Sequence, residues 1–141
     1  MIMKRREARE IAFCLIFQKD FSKESSCEEI FEDALTYFDN DDIKNEPYII
    51  STFKGVYDNI EDIDTLIADS SSNWDSERIS RVSKAILRLA TYEIKYVEDI
   101  PTKIAVNEAV EIAKKYDDEK AFSFINGVLA KIAVTVGKKD E

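Results

Sequence analysis

The amino-acid sequence predicts an all-α fold, and three observations support this prediction. Three Gly and two Pro among 141 residues leave little of the punctuation that many β-turns need. Apolar residues recur at helical spacing in one segment after another, and no stretch alternates convincingly with the period of two of a half-buried strand. The length suits a single domain, residues 1–141, with a sizeable core. Its two helical halves are expected at about 1–70 and 77–137.

Four helices are predicted in the N-terminal half. The first is basic at its start, and its apolar stripe leaves the arginines towards solvent. Ser25 or Ser26 is a good N-cap for the second helix, and Pro47 suits the first turn of the third. Between these two helices, residues 40–46 are predicted to form an acidic loop. The predicted helices cover about 5–19, 27–39, 47–57 and 60–68.

Three helices are predicted in the C-terminal half. The fifth helix of the chain is apolar on most of its circumference, which is typical of a central, buried helix. The seventh contains Gly127, and Gly inside a helix costs roughly 1 kcal/mol relative to Ala. We therefore expect Gly127 where this helix crosses the fifth helix closely. The predicted helices cover about 77–96, 101 or 102 to 116, and 120–136. The polar residues of the fifth helix form one narrow basic edge, Arg81, Lys84, Arg88, Thr91 and Lys95.

The composition argues against an enzyme. The sequence contains no His, which removes Ser-His-Asp and Cys-His catalysis and the commonest metal ligand. The three glycines are scattered and form neither a dinucleotide-binding nor a phosphate-binding loop. Glu108 and Glu111 could form a carboxylate pair, but we expect solvated or capping roles, because glycosidase chemistry also needs a deep cleft. We predict no enzymatic activity, no metal site and no cofactor.

The cysteines and the hydropathy pattern indicate a soluble cytoplasmic protein. Cys14 and Cys27 lie in no metal-like spacing, so reduced thiols are expected. No apolar run approaches the roughly 18 residues of a membrane span, and no apolar stretch of a signal peptide follows the basic N-terminus. The net charge of −9 is unevenly distributed, with basic residues in 1–19 and 78–95 and acidic residues in 20–46. A polyanion would have to bind at one of the two basic segments.

Three groups of residues could bind nucleic acid. The first is the basic start of the first helix, where Arg side chains and free backbone N–H groups suit phosphates and unpaired bases; a solubilising terminus is the alternative. The second is the basic edge of the fifth helix, which could instead pair with local acids. The third is Phe124 and Asn126 beside Lys120, for which core packing and a hydrogen bond between helices are the alternatives.

Four segments together are highly specific. They read RREAREIA (5–12), AILRLATYEI (85–94), IPTKIAVNEAVEIAKKY (100–116) and FSFINGVLAKIA (122–133). With these segments the chain resembles the NusB family of bacterial transcription antitermination factors over essentially its whole length, least so at about 20–75. The resemblance implies about seven helices in two three-helix bundles packed roughly perpendicular. It also implies binding to the boxA element of ribosomal RNA leader transcripts together with the ribosomal protein NusE. The complex would act on the RNA polymerase elongation complex with NusA and NusG.

The resemblance also implies roles for particular residues. Glu7 stands where a third consecutive basic residue can occur, and Phe17 keeps the stacking surface of a frequent Tyr. Ala130 replaces a frequent Asp, and Lys120 stands where an acidic residue is common. The implied RNA-binding residues are Lys4, Arg5, Arg6, Arg9, Phe17, Lys120 and Phe124. The NusE-binding residues are expected at the start of the fifth helix, at Glu77, Arg78, Arg81 and Lys84.

Two other classes of protein compete with this interpretation. A helical adaptor that binds proteins and has no RNA affinity of its own could use the acidic segment 20–46 as a docking surface. A related helical domain also occurs fused to ribosomal RNA cytosine methyltransferases. We expect no such enzyme unit, because the sequence has no methyltransferase segment and no glycine-rich cofactor loop. The resemblance leaves both a monomer and a homodimer open.

Overall fold

A computed structural model describes residues 3–38, 40–71 and 79–138. Within these ranges the chain forms eight α-helices and no β-strand, so the all-α prediction is confirmed. The eighth helix is a short one that the sequence analysis did not predict. The helices are α1 (Arg5–Phe21), α2 (Cys27–Ala34), α3 (Asn40–Lys44), α4 (Pro47–Asp58), α5 (Ile60–Ser70), α6 (Arg81–Tyr96), α7 (Thr102–Tyr116) and α8 (Glu119–Val136).

Local hydrogen bonds fix the beginnings of α2 and α4 as predicted. Ser26 and Glu29 form a capping box, in which each side chain accepts a hydrogen bond from the other's backbone N–H, so two backbone donors at the helix start are satisfied. Pro47 stands in the first turn of α4, where its missing N–H costs nothing, and the Glu46 side chain accepts from the backbone N–H of Tyr48.

Residues 40–46 differ from the acidic loop that was predicted. α2 ends at Ala34 rather than near residue 39, and Asn40–Lys44 forms the short helix α3. Ile43 explains this difference, because its side chain is buried at 1% exposure. An apolar anchor between acidic residues pulls the segment onto the core, and the high local charge concealed this single anchor in the sequence.

The central position predicted for the fifth helix is confirmed in α6. This helix packs against α1, α4, α5, α7 and α8. It begins at Arg81 rather than near residue 77, because the Ser80 hydroxyl caps the helix by accepting a hydrogen bond from the backbone N–H of Ser83. Its buried side chains include the successive residues Ala85, Ile86 and Leu87, which point about 100° apart and so bury most of the circumference of the helix.

The close helix crossing predicted at Gly127 is wrong. Gly127 is exposed, and a Cβ atom added there would meet nothing within 4 Å. The glycine in close contact is Gly55 of α4, where a Cβ would lie 2.3 Å from Cζ of the Tyr92 ring on α6. The cost of helical Gly thus has a packing reason at Gly55, and the packing shows none at Gly127.

The C-terminal end of α8 returns the chain to the central helix. Gly137 ends α8 with a φ of +64°, a left-handed conformation that Gly adopts without steric cost. The next side chain, Lys138, places Nζ 2.6 Å from the backbone carbonyl oxygen of Val97 and also donates to that of Ile100. A cation at the C-terminus of α6 is stabilised by the last carbonyls of the helix.

Candidate nucleic-acid interface

The start of α1 presents three basic side chains on the surface. Lys4, Arg5 and Arg6 are all exposed, as the sequence analysis predicted. The Arg5 guanidinium lies over the Tyr48 ring, 4.4 Å from its centre, and this contact holds the side chain close to the body while 56% of it stays exposed. A cation held over an aromatic face keeps its charge available on the outer side.

Arg6 extends from α1 to α7. Its Nε and Nη2 donate to the two carboxylate oxygens of Glu108 at 3.1 and 2.7 Å, which is the bidentate geometry that guanidinium also offers to a phosphate. The Arg6 side chain is 69% exposed. The pair therefore fixes the position of Arg6 without removing it from solvent.

Arg9 is buried, unlike the other predicted RNA-binding arginines. It is 5% exposed, and its Nε donates to both carboxylate oxygens of Glu93 at 3.0 and 3.1 Å. Its Nη1 donates to Glu108 at 3.2 Å, and the Tyr48 hydroxyl donates to Glu93 at 2.8 Å. Side chains from α1, α4, α6 and α7 thus meet in one network, which holds the basic end of α1 on the body of the fold.

The network stabilises its charged forms. Burial alone would lower the pKa of Arg9, but the attraction and hydrogen bond of Glu93, together with Tyr48 and Glu108, outweigh burial and the pKa is raised. The hydrogen bond from Arg6, with further attraction from Arg9, holds the pKa of Glu108 below its ordinary value. Both groups therefore stay ionised at neutral pH, as a buried ion pair requires.

The predicted stacking residues have different surroundings. Phe17 is half-buried, with its ring centre 5.0 Å from that of Phe21. Phe124 is also half-buried and lines a surface cavity of about 480 Å³ together with Lys120 and Asp118. Lys120 is exposed, so this cavity combines a cation, a carboxylate and an aromatic surface. Phe17 lies on α1, whereas Phe124 and its cavity lie at the start of α8. Phe17 does not line this cavity.

The basic edge predicted on the fifth helix is largely neutralised by local acids. Arg88 donates to both carboxylate oxygens of Asp64 at 3.0 Å and to Asp20 at 3.2 Å. Arg81 also pairs with Asp20, at 3.2 Å. The alternative of local ion pairing thus describes this edge.

The remaining residues of the basic edge differ in burial and pairing, and so do the residues expected to bind NusE. Lys95 pairs with Asp62 at 2.6 Å, and Thr91 is buried with no hydrogen-bond partner for its hydroxyl among the described residues. Of the residues expected to bind NusE, Arg81 is exposed and Lys84 is half-buried at the start of α6. Glu77 and Arg78 lie outside the described residues.

A groove between α1 and α7 was not predicted from the sequence. It has a volume of about 350 Å³ and is lined by cations and carboxylates in nearly equal number. Lys115 pairs across it with Glu10 at 2.6 Å, and Lys114 approaches Glu111 at 3.7 Å. The signal for this groove in the sequence is the run Lys114-Lys115-Tyr116, which lies about one helical turn after Glu111 and Ile112. The groove is lined by Arg6, Arg9, Glu10, Glu108, Glu111, Ile112, Lys114 and Lys115.

Cys14 and Cys27 are both free thiols whose pKa is raised by burial. The described part of the chain holds no group of three or more potential metal ligands. None of its helices is both long enough and apolar enough to span a membrane.

Comparison with known proteins decides the family. The model of the NusB family matches residues 6–134, which include α1 from Arg6 onwards and all of α6 and α7. The chain belongs to the NusB family. A relative in Clostridium botulinum, a transcription antitermination protein NusB, is 41% identical over 143 aligned positions, which cover 92% of this chain and 99% of that protein.

Solved structures of NusB-family proteins share the fold. NusB of T. maritima superimposes with a TM-score of 0.80 at 34% identity, over 95% of this chain and 93% of that one. A NusB crystallised with NusE and double-stranded RNA superimposes with a TM-score of 0.79 at 28% identity, over 93% of this chain and 96% of that one. The expected resemblance to the NusB family is thus confirmed in sequence and in fold.

Proposed function

We propose that this NusB-family chain binds the boxA element of ribosomal RNA leader transcripts, together with NusE, and acts as an antitermination factor on elongating RNA polymerase with NusA and NusG. The observation that carries the proposal is the exposed pair Arg5 and Arg6. Both are fixed on the surface by other side chains, Arg5 over Tyr48 and Arg6 on Glu108. Cations whose positions are already fixed lose little conformational freedom when they bind phosphate.

The proposed residues divide into those that contact RNA and one that positions them. Lys4, Arg5 and Arg6 contact phosphates, and they supply attraction without sequence information. Arg9 is buried, so in this proposal it positions the start of α1 rather than contacting RNA. Phe124 stacks on an unpaired base with Lys120 at its side, and Phe17 supports the aromatic surface of α1.

The basic edge of α6 has only a small part in this proposal. Arg88 and Lys95 pair with aspartates and are only 13% and 36% exposed, against 69% for Arg6, so less of their surface is available to RNA. The start of α6, with Arg81 exposed and Lys84 half-buried, is proposed as the surface that faces NusE. Removal of the Arg81 charge should then weaken NusE binding and leave binding of RNA alone unchanged.

Replacement of Arg6 tests the RNA site. Arg6→Ala should weaken the binding of single-stranded RNA of any sequence and reduce the slope of log K against log salt by about one unit. Lys54→Ala is the matched control, because Lys54 is also an exposed cation with a carboxylate partner, Glu28 at 3.4 Å, but on α4. Its salt slope should equal that of the parent. Fluorescence anisotropy with boxA RNA between about 50 and 300 mM salt measures both.

The same titrations distinguish the competing function. A parent protein with no affinity for boxA RNA at low salt, with or without NusE, would contradict the proposal and favour the helical adaptor. Equal salt slopes in the parent and Arg6→Ala, with RNA still bound, would place the RNA elsewhere on the surface. Arg9→Ala is unsuitable for this test, because it would leave the buried carboxylate of Glu93 unpaired and destabilise the fold by about 3–5 kcal/mol.

A further inference from the structure

The C-terminal end of α7 carries an exposed aromatic ring beside the groove between α1 and α7. Tyr116 is 41% exposed, although its ring packs on Phe13 of α1 with ring centres 5.1 Å apart. Its hydroxyl donates to Glu10, the carboxylate that also pairs with Lys115. The contacts with Phe13 and Glu10 fix the orientation of the ring while much of it stays accessible.

The cations of this groove are held by ion pairs that a phosphate could replace. Lys115 is 63% exposed and Lys114 is 54% exposed in their pairs with Glu10 and Glu111. Water already weakens ion pairs as exposed as these, so exchange of a carboxylate for a phosphate oxygen costs little. Arg6 lines the same groove. Arg6 of the proposed RNA site and two lysines thus border the same cavity of about 350 Å³.

We infer that Tyr116 is a stacking platform for an RNA base, and that Lys115 and Lys114 contact the adjoining phosphates. This inference rests on the proposed RNA-binding function and extends its site. The RNA would run from Arg6 along the groove to the end of α7, towards Lys120 at the start of α8. Stacking on an aromatic ring is tolerant of base identity, so the platform adds affinity for single-stranded RNA rather than choice of sequence.

The fold contains a second tyrosine with the same local chemistry at a distance from the groove. Tyr96 at the end of α6 is 36% exposed, and its hydroxyl donates to Asp62, which also pairs with Lys95. The ammonium of Lys95 lies 5.5 Å from the Tyr96 ring centre, the same distance as Lys115 from that of Tyr116. None of the described residues that line the groove belongs to α5 or α6.

A matched test compares the group of Tyr116, Glu10 and Lys115 with the group of Tyr96, Asp62 and Lys95. Tyr116→Leu should weaken the binding of single-stranded boxA RNA about tenfold, whereas Tyr96→Leu should stay within about twofold of the parent. Tyr116→Phe keeps the ring and loses only the hydrogen bond to Glu10, so it should bind as the parent does. Lys115→Gln should lower the salt slope by about one unit, and Lys95→Gln should leave it unchanged.

The outcomes separate this inference from the proposed function. Equal RNA affinities for Tyr116→Leu and Tyr96→Leu, while Arg6→Ala binds weakly, would overturn the platform and leave the RNA-binding function standing. Absence of RNA binding by the parent protein would contradict the proposed RNA-binding function. Thermal unfolding of each variant checks that it folds. If Tyr116→Leu does not fold, photo-crosslinking of the unaltered chain to boxA RNA that carries 5-iodouridine decides the matter, because a crosslink at Tyr116 supports the platform and crosslinks only elsewhere overturn it.

Discussion

Arg9 differs from the neighbouring arginines of α1 in its burial and in its partners. Arg5, Arg6 and Arg9 lie within five residues, yet the first two are exposed and the third is buried between Glu93 and Glu108. The helical period predicts which residues share a face. The period could not predict that the carboxylate of Glu93 on α6 pairs with Arg9, because the two residues are 84 positions apart in the sequence.

Glu108 gives this arrangement a measurable dependence on pH. Its pKa is lowered by Arg6 and Arg9, so its contribution to stability is complete above the ordinary value of 4.5 and is lost as the pH falls below it. Glu108→Gln should lower the free energy of unfolding by about 1–3 kcal/mol at pH 7. The difference from the parent should shrink in acid. Urea unfolding at a series of pH values measures both effects.

The control for this prediction lies one turn away on the same helix. Glu111 is half exposed and pairs only loosely with Lys114, at 3.7 Å. Glu111→Gln should therefore change the free energy of unfolding by less than about 1 kcal/mol at neutral pH. A difference between the parent and Glu108→Gln that stayed constant from neutral to acidic pH would contradict the ionic origin of the effect.

At the scale of elements, hydrophobic periodicity and N-caps predicted most of the helices, but a short helix held by a single buried side chain was missed. Ser26 and Pro47 mark the beginnings of α2 and α4 because their effects are local. α3 was missed because one buried side chain, Ile43, outweighs an acidic neighbourhood. The close crossing was assigned to Gly127 instead of Gly55, since the cost of helical Gly is the same at both and only the fold shows which one Tyr92 approaches.

The two helical glycines give opposite predictions for the same substitution. Gly127→Ala should raise the free energy of unfolding by about 0.5–1 kcal/mol, because Ala is the better helix former and the added Cβ meets no neighbour. Gly55→Ala should lower it by about 1–3 kcal/mol, because its Cβ would lie 2.3 Å from the Tyr92 ring. Denaturant unfolding of both variants is the measurement. Stabilisation by both substitutions would mean that Tyr92 moves aside freely.

At the scale of the whole molecule, the net charge of −9 opposes the binding of a polyanion. Many of the basic side chains are committed to internal pairs, as Arg9, Arg88 and Lys95 are. The proposed RNA site has only a few accessible cations, among them Arg5 and Arg6 at the start of α1 and Lys115 at the end of α7. An acidic body with a small basic surface should therefore bind RNA weakly by itself, and affinity should increase when a basic partner adds to that surface.

RNA and NusE are expected to bind this chain cooperatively. We expect the chain alone to bind boxA RNA weakly and the complex with NusE to bind it substantially more tightly, by a factor of about 5–150. Because linkage is reciprocal, RNA should tighten NusE binding by the same factor. Titration calorimetry on the two binary pairs and on the ternary mixture measures both factors. Equal RNA affinity with and without NusE would contradict the composite surface, and the exposed residues of α1 and α7 would then have to bind RNA unaided.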